Sequence, residues 1–277
     1  MNNPIDWSGE AGNPPEDFVA SEHVRLPVGI RKEGTVYRDV YIDEMCGIDD
    51  HLIASKEAQN NGAIATSLVL MRCIQEIDGL LERKKNTEKK FDRALVRKMT
   101  QVDRDYLLSR IYMLGGSNDV VMAGKCPRCG SVWEETAFLS QLKVIEWPDD
   151  KELELPFELI RGVYDNSDGV GVYHKEGTIR FPTGADSELI GKLGNSAEMV
   201  DSTIAACVTK IGTLDHIDTE MAKRMKTRDR QKLMVTIQQD LPGLRQWKTV
   251  KCDCNREFEI VCDLTAFFDE RRRQTKG

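Results

Sequence analysis

The chain has 277 residues, with 46 acidic and 39 basic side chains and a net charge of −7. That length admits one large domain, two ordinary ones or one duplicated unit, and the acidic balance argues against a partner that is simply a polyanion. No segment approaches the roughly 18 to 20 uninterrupted apolar residues of a membrane span; the best stretch, AIATSLVLMRCIQEIDGLL, carries Arg72, Glu76 and Asp78.

In chain order, residues 1–22 are acidic and rich in Pro and Gly, which predicts a flexible tail. They have neither the basic start nor the apolar stretch of a secretory signal, so a reducing cytoplasm is the expected compartment. VYRDVYIDEM, Val36 to Met45, alternates as a strand does. Ile64, Leu68, Met71, Ile74 and Ile77 recur at three and four, predicting a helix through AIATSLVLMRCIQEI. DRALVRKMTQVDRDYLLSRIYML reads as helix until Gly115-Gly116 stops it. Leu153, Leu155, Phe157 and Leu159 alternate, NSDG supplies a turn, and Val170, Val172 and Tyr173 return, which predicts a β-hairpin.

The second half resembles the first. VRLPVG from Val24 matches IRFPTG from Ile179, GIDDHLI from Gly47 matches GADSELI from Gly184, and LMRCIQEI from Leu70 matches IAACVTKI from Ile204. RKMTQVDRDYLLSRI from Arg97 aligns without a gap to KRMKTRDRQKLMVTI from Lys223, setting Asp103-Arg104 opposite Asp229-Arg230. Each Asp lies 23 residues before a cysteine, Cys126 or Cys252. Repetition in this order indicates duplication. VYRDVYIDEM is expected only in the first copy, and the hairpin is expected to join the copies. The organisation read from this is a tail at 1–22, a first repeat with a cysteine knuckle at 23–145, a linking hairpin at 146–182, a second, shorter repeat with a cysteine turn at 183–269 and a basic tail at 270–277. The fold class is α+β, each copy a helical unit followed by a cysteine knuckle on short antiparallel strands.

Eight cysteines are too few for a disulfide scaffold of this length. Cys73 and Cys207 sit in helical apolar patterns and read as small buried hydrophobes. In KCPRCG a tight turn aims backbone amides at two sulfurs, favouring thiolates. A tetrahedral zinc needs four ligands, so this knuckle supplies half a site, and the repeat points to KCDCN for the rest. The predicted ligands are Cys126, Cys129, Cys252 and Cys254, holding a structural zinc that docks the copies. Against this stand the one-residue spacing of CDCN and the 122 residues between Cys129 and Cys252, which leave four unligated thiols as the alternative. A redox CxxC fits poorly, because SVWEET and REFEIV follow with strand alternation rather than a helix.

No catalytic residues are expected. His23, His51, His174 and His216 never adopt paired ligand spacing, no serine stands in G-x-S-x-G, and DGVGV lacks the third glycine and following helix of a phosphate loop. Asp49-Asp50 and Asp149-Asp150 read as a helix start or turn. Asp103-Arg104 and Asp229-Arg230 read either as an ion-pair clamp between helices or as a solvated face. The basic runs RKKNTEKKFDRALVRK and KRMKTRDRQK, with a zinc ribbon, raise a nucleic-acid reading in which Lys84, Lys85, Lys89 and Lys90 would track the backbone. They contain no stacking aromatics apart from Phe91, and EWPDDKELELPFE opposes such a groove, so a charged face or an acidic protein partner is favoured.

The order of an LPVG opening, YIDEMCGIDDHLI, a helix with CIQEI, VDRDYLLSRI and CPRCG resembles the baseplate-hub and tail-assembly family of contractile-tailed, T-even-type bacteriophages. The resemblance covers most of residues 23 to 269; CDCN departs from the CxxC expected there. It implies a non-enzymatic role in virion assembly, as a baseplate component or a chaperone of hub formation. It also implies other tail or baseplate proteins as partners, with self-association open, and a location in the host cytoplasm or the virion tail. The rival reading is a zinc-ribbon nucleic-acid-binding protein.

Overall fold

The computed structural model describes residues 22–81, 92–165, 171–264 and 268. Residues 1–21 of the acidic leader, the basic tail and Lys84, Lys85, Lys89 and Lys90 lie outside these residues, as does most of DGVGV; Glu22, counted with the leader, is the first residue of a strand.

The chain opens with an antiparallel hairpin, β1 (Glu22–Lys32) and β2 (Thr35–Ile42), closed by Glu33 and Gly34 with positive φ of 51° and 78°. Both central residues being left-handed matches the right-handed twist of the strands. Three helices follow: α1 (Gly47–Ile53), α2 (Lys56–Gln59) and α3 (Gly62–Cys73). The helix predicted through Ile77 ends at Cys73, and Ile74–Ile77 forms β3 along β2. Ile74 and Ile77 are fully buried there; two β-branched residues spaced by three fit a short covered strand as well as a helix end. The long helix predicted over residues 92–114 is two: α4 (Arg93–Lys98) and α5 (Gln101–Leu114), separated by extended Met99 and Thr100, whose hydroxyl caps α5. Gly115 ends α5 as expected.

Next come β4 (Asp119–Lys125), β5 (Val132–Phe138) and the short β6 (Val144–Ile145). The predicted hairpin is β7 (Glu154–Asp165) with β8 (Val172–Arg180). It is more than a connection: β8 also pairs with a later strand, and the sheet carries Phe157, Leu159, Val163 and Ile179 into a core. After α6 (Gly184–Ile190) and α7 (Ser196–Cys207) come β9 (Val208–Ile211), β10 (Leu214–Asp215), α8 (Thr219–Arg224) and α9 (Thr227–Val235), which widens into a π turn over Thr236–Asp240. β11 (Gly243–Leu244), β12 (Trp247–Lys251) and β13 (Glu257–Cys262) finish the described chain.

A first lobe runs β1, β2, three helices, β3, α4 and α5, and a second runs β7, β8, α6, α7, β9, β10, α8 and α9, with one strand more before its last two helices. VRLPVG and IRFPTG do not occupy like positions. VRLPVG lies within β1, whereas IRFPTG leaves β8 and enters α6, as YIDEMCG leaves β2 and enters α1.

One core collects Leu26, Val40, Ile42, Leu70 and Leu107 from the first lobe, but also Val250, Phe258 and Ile260 from the last two strands. A second core holds Ile179, Ile204, Ile211 and Leu233. Val28, Val102 and Phe181 form a small cluster between the lobes, and Trp147 packs on Phe181 with ring centroids 5.1 Å apart. The seam is also hydrogen-bonded along the backbone: Gln101 N–H donates to the Pro182 carbonyl at 2.8 Å, and Gly184 N–H to the Met99 carbonyl at 3.0 Å. Glu188 of α6 is buried in the first lobe, where it accepts from Ser67 and pairs with Arg93 and Arg97. No helix of the described residues is long and apolar enough to cross a membrane.

Candidate metal centre

The two cysteine turns do not close two separate units. β4–β5 and β12–β13 are hairpins of one four-stranded antiparallel sheet, ordered β12-β13-β4-β5, with Val261 opposite Ala123 and Cys262 opposite Met122. Antiparallel pairing sets the end of β4 beside the start of β13, so the knuckles that adjoin those ends lie side by side. Their strands approach closely at Gly124, where a Cβ would sit 2.7 Å from the Glu259 carbonyl oxygen. The second turn's hairpin therefore packs on the first core rather than the second, a departure from the expected layout of one knuckle per copy.

Each knuckle is built by the same local logic. In the first, Cys126 N–H donates to the Ser131 carbonyl and Gly130 N–H to the Cys126 carbonyl, both at 2.9 Å. In the second, Cys252 N–H donates to the Arg256 carbonyl at 2.9 Å and Asn255 N–H to the Cys252 carbonyl at 2.8 Å. The residue after the second cysteine is left-handed in both, Gly130 at φ +78° and Asn255 at φ +63°. Gly and Asn are the residues that reach this region most readily. CDCN is thus a knuckle shortened by one residue with its closing turn retained, which removes the spacing objection.

The four sulfurs of Cys126, Cys129, Cys252 and Cys254 lie within 4.8 Å of one another. Cys126 Sγ is 3.6 Å from Cys254 Sγ, and Cys129 Sγ is 3.5 Å from Cys252 Sγ. A tetrahedron with zinc–sulfur bonds of ~2.3 Å has edges of ~3.8 Å, so the set fits a metal ion with only small adjustments. Four thiolates match zinc in softness and geometry and leave no coordination position open. Arg128 crosses between the turns, its guanidinium donating to the Cys254 carbonyl at 3.0 Å.

The thiols are primed unequally. The Cys129 backbone amide draws Cys126 below the ordinary thiol range. Hydrogen bonds from the Ser131 hydroxyl and amide bring Cys129 down to about 6. The Cys254 amide favours a thiolate at Cys252, but removal from water and hydrogen bonding with neighbouring thiols outweigh it and push Cys252 up to about 12. Thiols sharing protons behave this way, the first anion forming at the expense of the last; a divalent cation would remove the competition.

The other sequence candidates fall elsewhere. Cys73 and Cys207 are buried hydrophobes, and burial pushes the Cys207 thiol up to about 12. The histidines stay apart: His23 lies against Asp39, His174 against Asp165 and Thr213, and His51 and His216 are exposed. Asp49 caps α1 and pairs with Arg72, while Asp149 holds Arg38. Asp103, Arg104 and Asp229 are fully buried, so the solvated-face reading fails for them. The clamp they form reaches strands more than neighbouring helices. Asp103 accepts N–H groups of Val28 and Gly29, and Asp229 those of Ile160, Arg161 and Gly162. Arg104 donates to the Val96 and Ala63 carbonyls and to Ser67; Arg230 pairs with Asp201. Sequence reasoning missed Arg38, buried and donating to the Leu26, Pro27 and Trp147 carbonyls, and also Glu188. Neither residue type nor spacing signals a charge whose side-chain partners, Asp149 for Arg38 and Ser67, Arg93 and Arg97 for Glu188, lie about a hundred positions away.

Comparison with protein-family models, with curated proteins and with solved structures finds no match to this chain.

Proposed function

We propose that the protein is a non-catalytic assembly component of a contractile phage tail, either part of the baseplate or a chaperone of its hub, working through protein–protein contacts. On this reading it consists of two diverged copies of one unit, and a structural zinc held by Cys126, Cys129, Cys252 and Cys254 fixes the final hairpin to the first lobe. The single observation carrying it is the four-sulfur site, shared by two hairpins of one sheet: an all-thiolate tetrahedral site is closed to substrate and stabilises structure instead. The family resemblance supplies the tail setting.

Duplication draws support from repeated detail. Asp103 and Asp229 each open a helix and grip a strand at a left-handed glycine, Gly29 or Gly162, both at φ +87°. Cys46 N–H donates to Asp49 and Thr183 N–H to Asp186, each at 2.8 Å, at the starts of α1 and α6.

The test is affinity purification of the tagged chain from phage-infected cells, with mass spectrometry of what accompanies it. Enrichment of baseplate or hub proteins, lost when the four cysteines are replaced by serine, is the expected result. Salt-sensitive retention on DNA with no tail protein enriched would replace this reading with the zinc-ribbon nucleic-acid alternative.

A further inference from the structure

Within one chain the lobes join by a directional contact. The segment that starts α6, Pro182 to Gly184, lies along Met99 to Gln101 at the start of α5, exchanging the two backbone hydrogen bonds at the seam. Like positions of the other two halves of this contact stand open. In the first lobe the counterpart of the α6 start is Met45 to Gly47, entering α1. Phe181, Gly184 and Glu188 are buried, whereas their counterparts Glu44, Gly47 and His51 are exposed, and Ile48 at the tip of α1 is 58% exposed. In the second lobe the counterpart of Met99 to Gln101 is Met225 to Thr227. Thr100 is buried, but Lys226 and Thr227 are exposed, and the Thr227 N–H has no partner among the described residues.

The open end of the second lobe is also chemically prepared. Thr100 caps α5 with its hydroxyl, whereas Lys226 offers no side-chain cap to α9. Beside this uncapped start is a cleft of about 780 Å³ lined by Arg161, Lys175, Lys226 and Arg228, with Tyr173 and no carboxylate. Four cations and a helix N-terminus favour a segment bringing carboxylates and backbone carbonyls. The α1 entry, IDEMCGIDD, is such a segment.

We infer that the second lobe receives the α1 entry of a second copy of this chain, head to tail, by the contact that already joins the two lobes internally. The inference rests on the duplication reading above. Such a contact is heterologous, so it propagates: copies add until a ring closes or a chain grows. Glu44 faces the basic cleft, Ile48 supplies the apolar contact, and the Met45 carbonyl takes the place that the Pro182 carbonyl holds inside the chain.

Light scattering of the zinc-loaded full chain from about 1 μM to about 1 mM tests this. The wild type is expected to grow past the mass of a dimer as concentration rises. Ile48→Asp and Arg228→Glu should each abolish growth, with circular dichroism and zinc content unchanged. An equimolar mixture of the two should form dimers and stop there, because each variant keeps one intact surface. Glu44→Arg should weaken association at least tenfold, and Arg228→Glu in the partner copy should recover it. A wild type that stays monomeric throughout, or variants that associate as it does, would overturn the inference. A monomer that still binds zinc and tail proteins would overturn it alone, leaving the assembly role in place.

Discussion

Asp103 and Asp229 stand 126 positions apart and hold their strands alike, the first accepting the N–H groups of Val28 and Gly29 and the second those of Ile160, Arg161 and Gly162, each set ending on a left-handed glycine. A buried carboxylate of this kind is both an anchor and an expense. Its hydrogen bonds to ionised oxygen are each worth about 1.5–3 kcal/mol, and removing it leaves amides unpaired in the interior. Asp229→Ala is expected to destabilise the protein by about 3 kcal/mol, measured by urea denaturation, with loss of amide-exchange protection at Ile160 to Gly162. A cost under about 0.5 kcal/mol would show that the contact carries no weight.

Asp103 adds a dependence on pH. Desolvation raises its pKa to about 6, against the pull of the Val28 and Gly29 amides and the Thr100 hydroxyl. The folded state therefore binds this proton more tightly than the unfolded state. Stability from this group rises as pH falls through about 6 and levels off near the unfolded value of about 4. Asp103→Asn cannot titrate, so its penalty relative to wild type should grow between about pH 7 and about pH 5, by about 1.3 kcal/mol. A penalty that shrinks over that range would refute the assignment.

Metal analysis of the purified chain should return about one zinc per chain, and Cys254→Ser should lose it. Chelation should lower the thermal midpoint and raise amide exchange first in β12 and β13, since this sheet is what joins them to β4 and β5. Rapid alkylation of one cysteine of the four in untreated protein would contradict a closed site.

Gly124→Val tests the sheet without touching a ligand. The new side chain would begin 2.7 Å from the Glu259 carbonyl oxygen and press on Ile260. The strands must then part, at an expected cost of about 1–3 kcal/mol, together with weaker zinc binding in a competition titration with a chromophoric chelator.

At the seam, Glu188→Ala removes the carboxylate shared by Ser67, Arg93 and Arg97. Both guanidinium groups reach solvent and Arg93 keeps Glu57, so the expected loss is about 1–2 kcal/mol, much of it from the buried Ser67 hydroxyl. Proteolysis should then cut preferentially in the 146–153 connection between the lobes.

Legibility followed the range of the interaction. The mixed α+β character, the β7–β8 hairpin and the four-cysteine cluster could be read because turn residues, alternation and CPRCG are local signals. Helix ends were misread where an apolar residue fits two periods, as Ile74 and Ile77 do, or where a cap such as Thr100 lies inside an otherwise helical pattern. VRLPVG and IRFPTG are alike in letters but differ in place, one within β1 and the other at the exit of β8. The contact of Asp229 with Gly162 spans 67 residues and has no local signal. That the last hairpin returns to the first core has no local signature, since β13 would alternate in the same way on either core.

That return journey sets an order of events during synthesis. The β4–β5 hairpin leaves the ribosome with half a ligand set, an open strand edge and an apolar face, and waits through more than a hundred further residues for β12 and β13. Closure over such a span is slow, so the first lobe is completed late, after the second has been able to fold. A translation pause or a nick ahead of Trp247 would strand thiols and edge together, where neighbouring nascent chains could capture them.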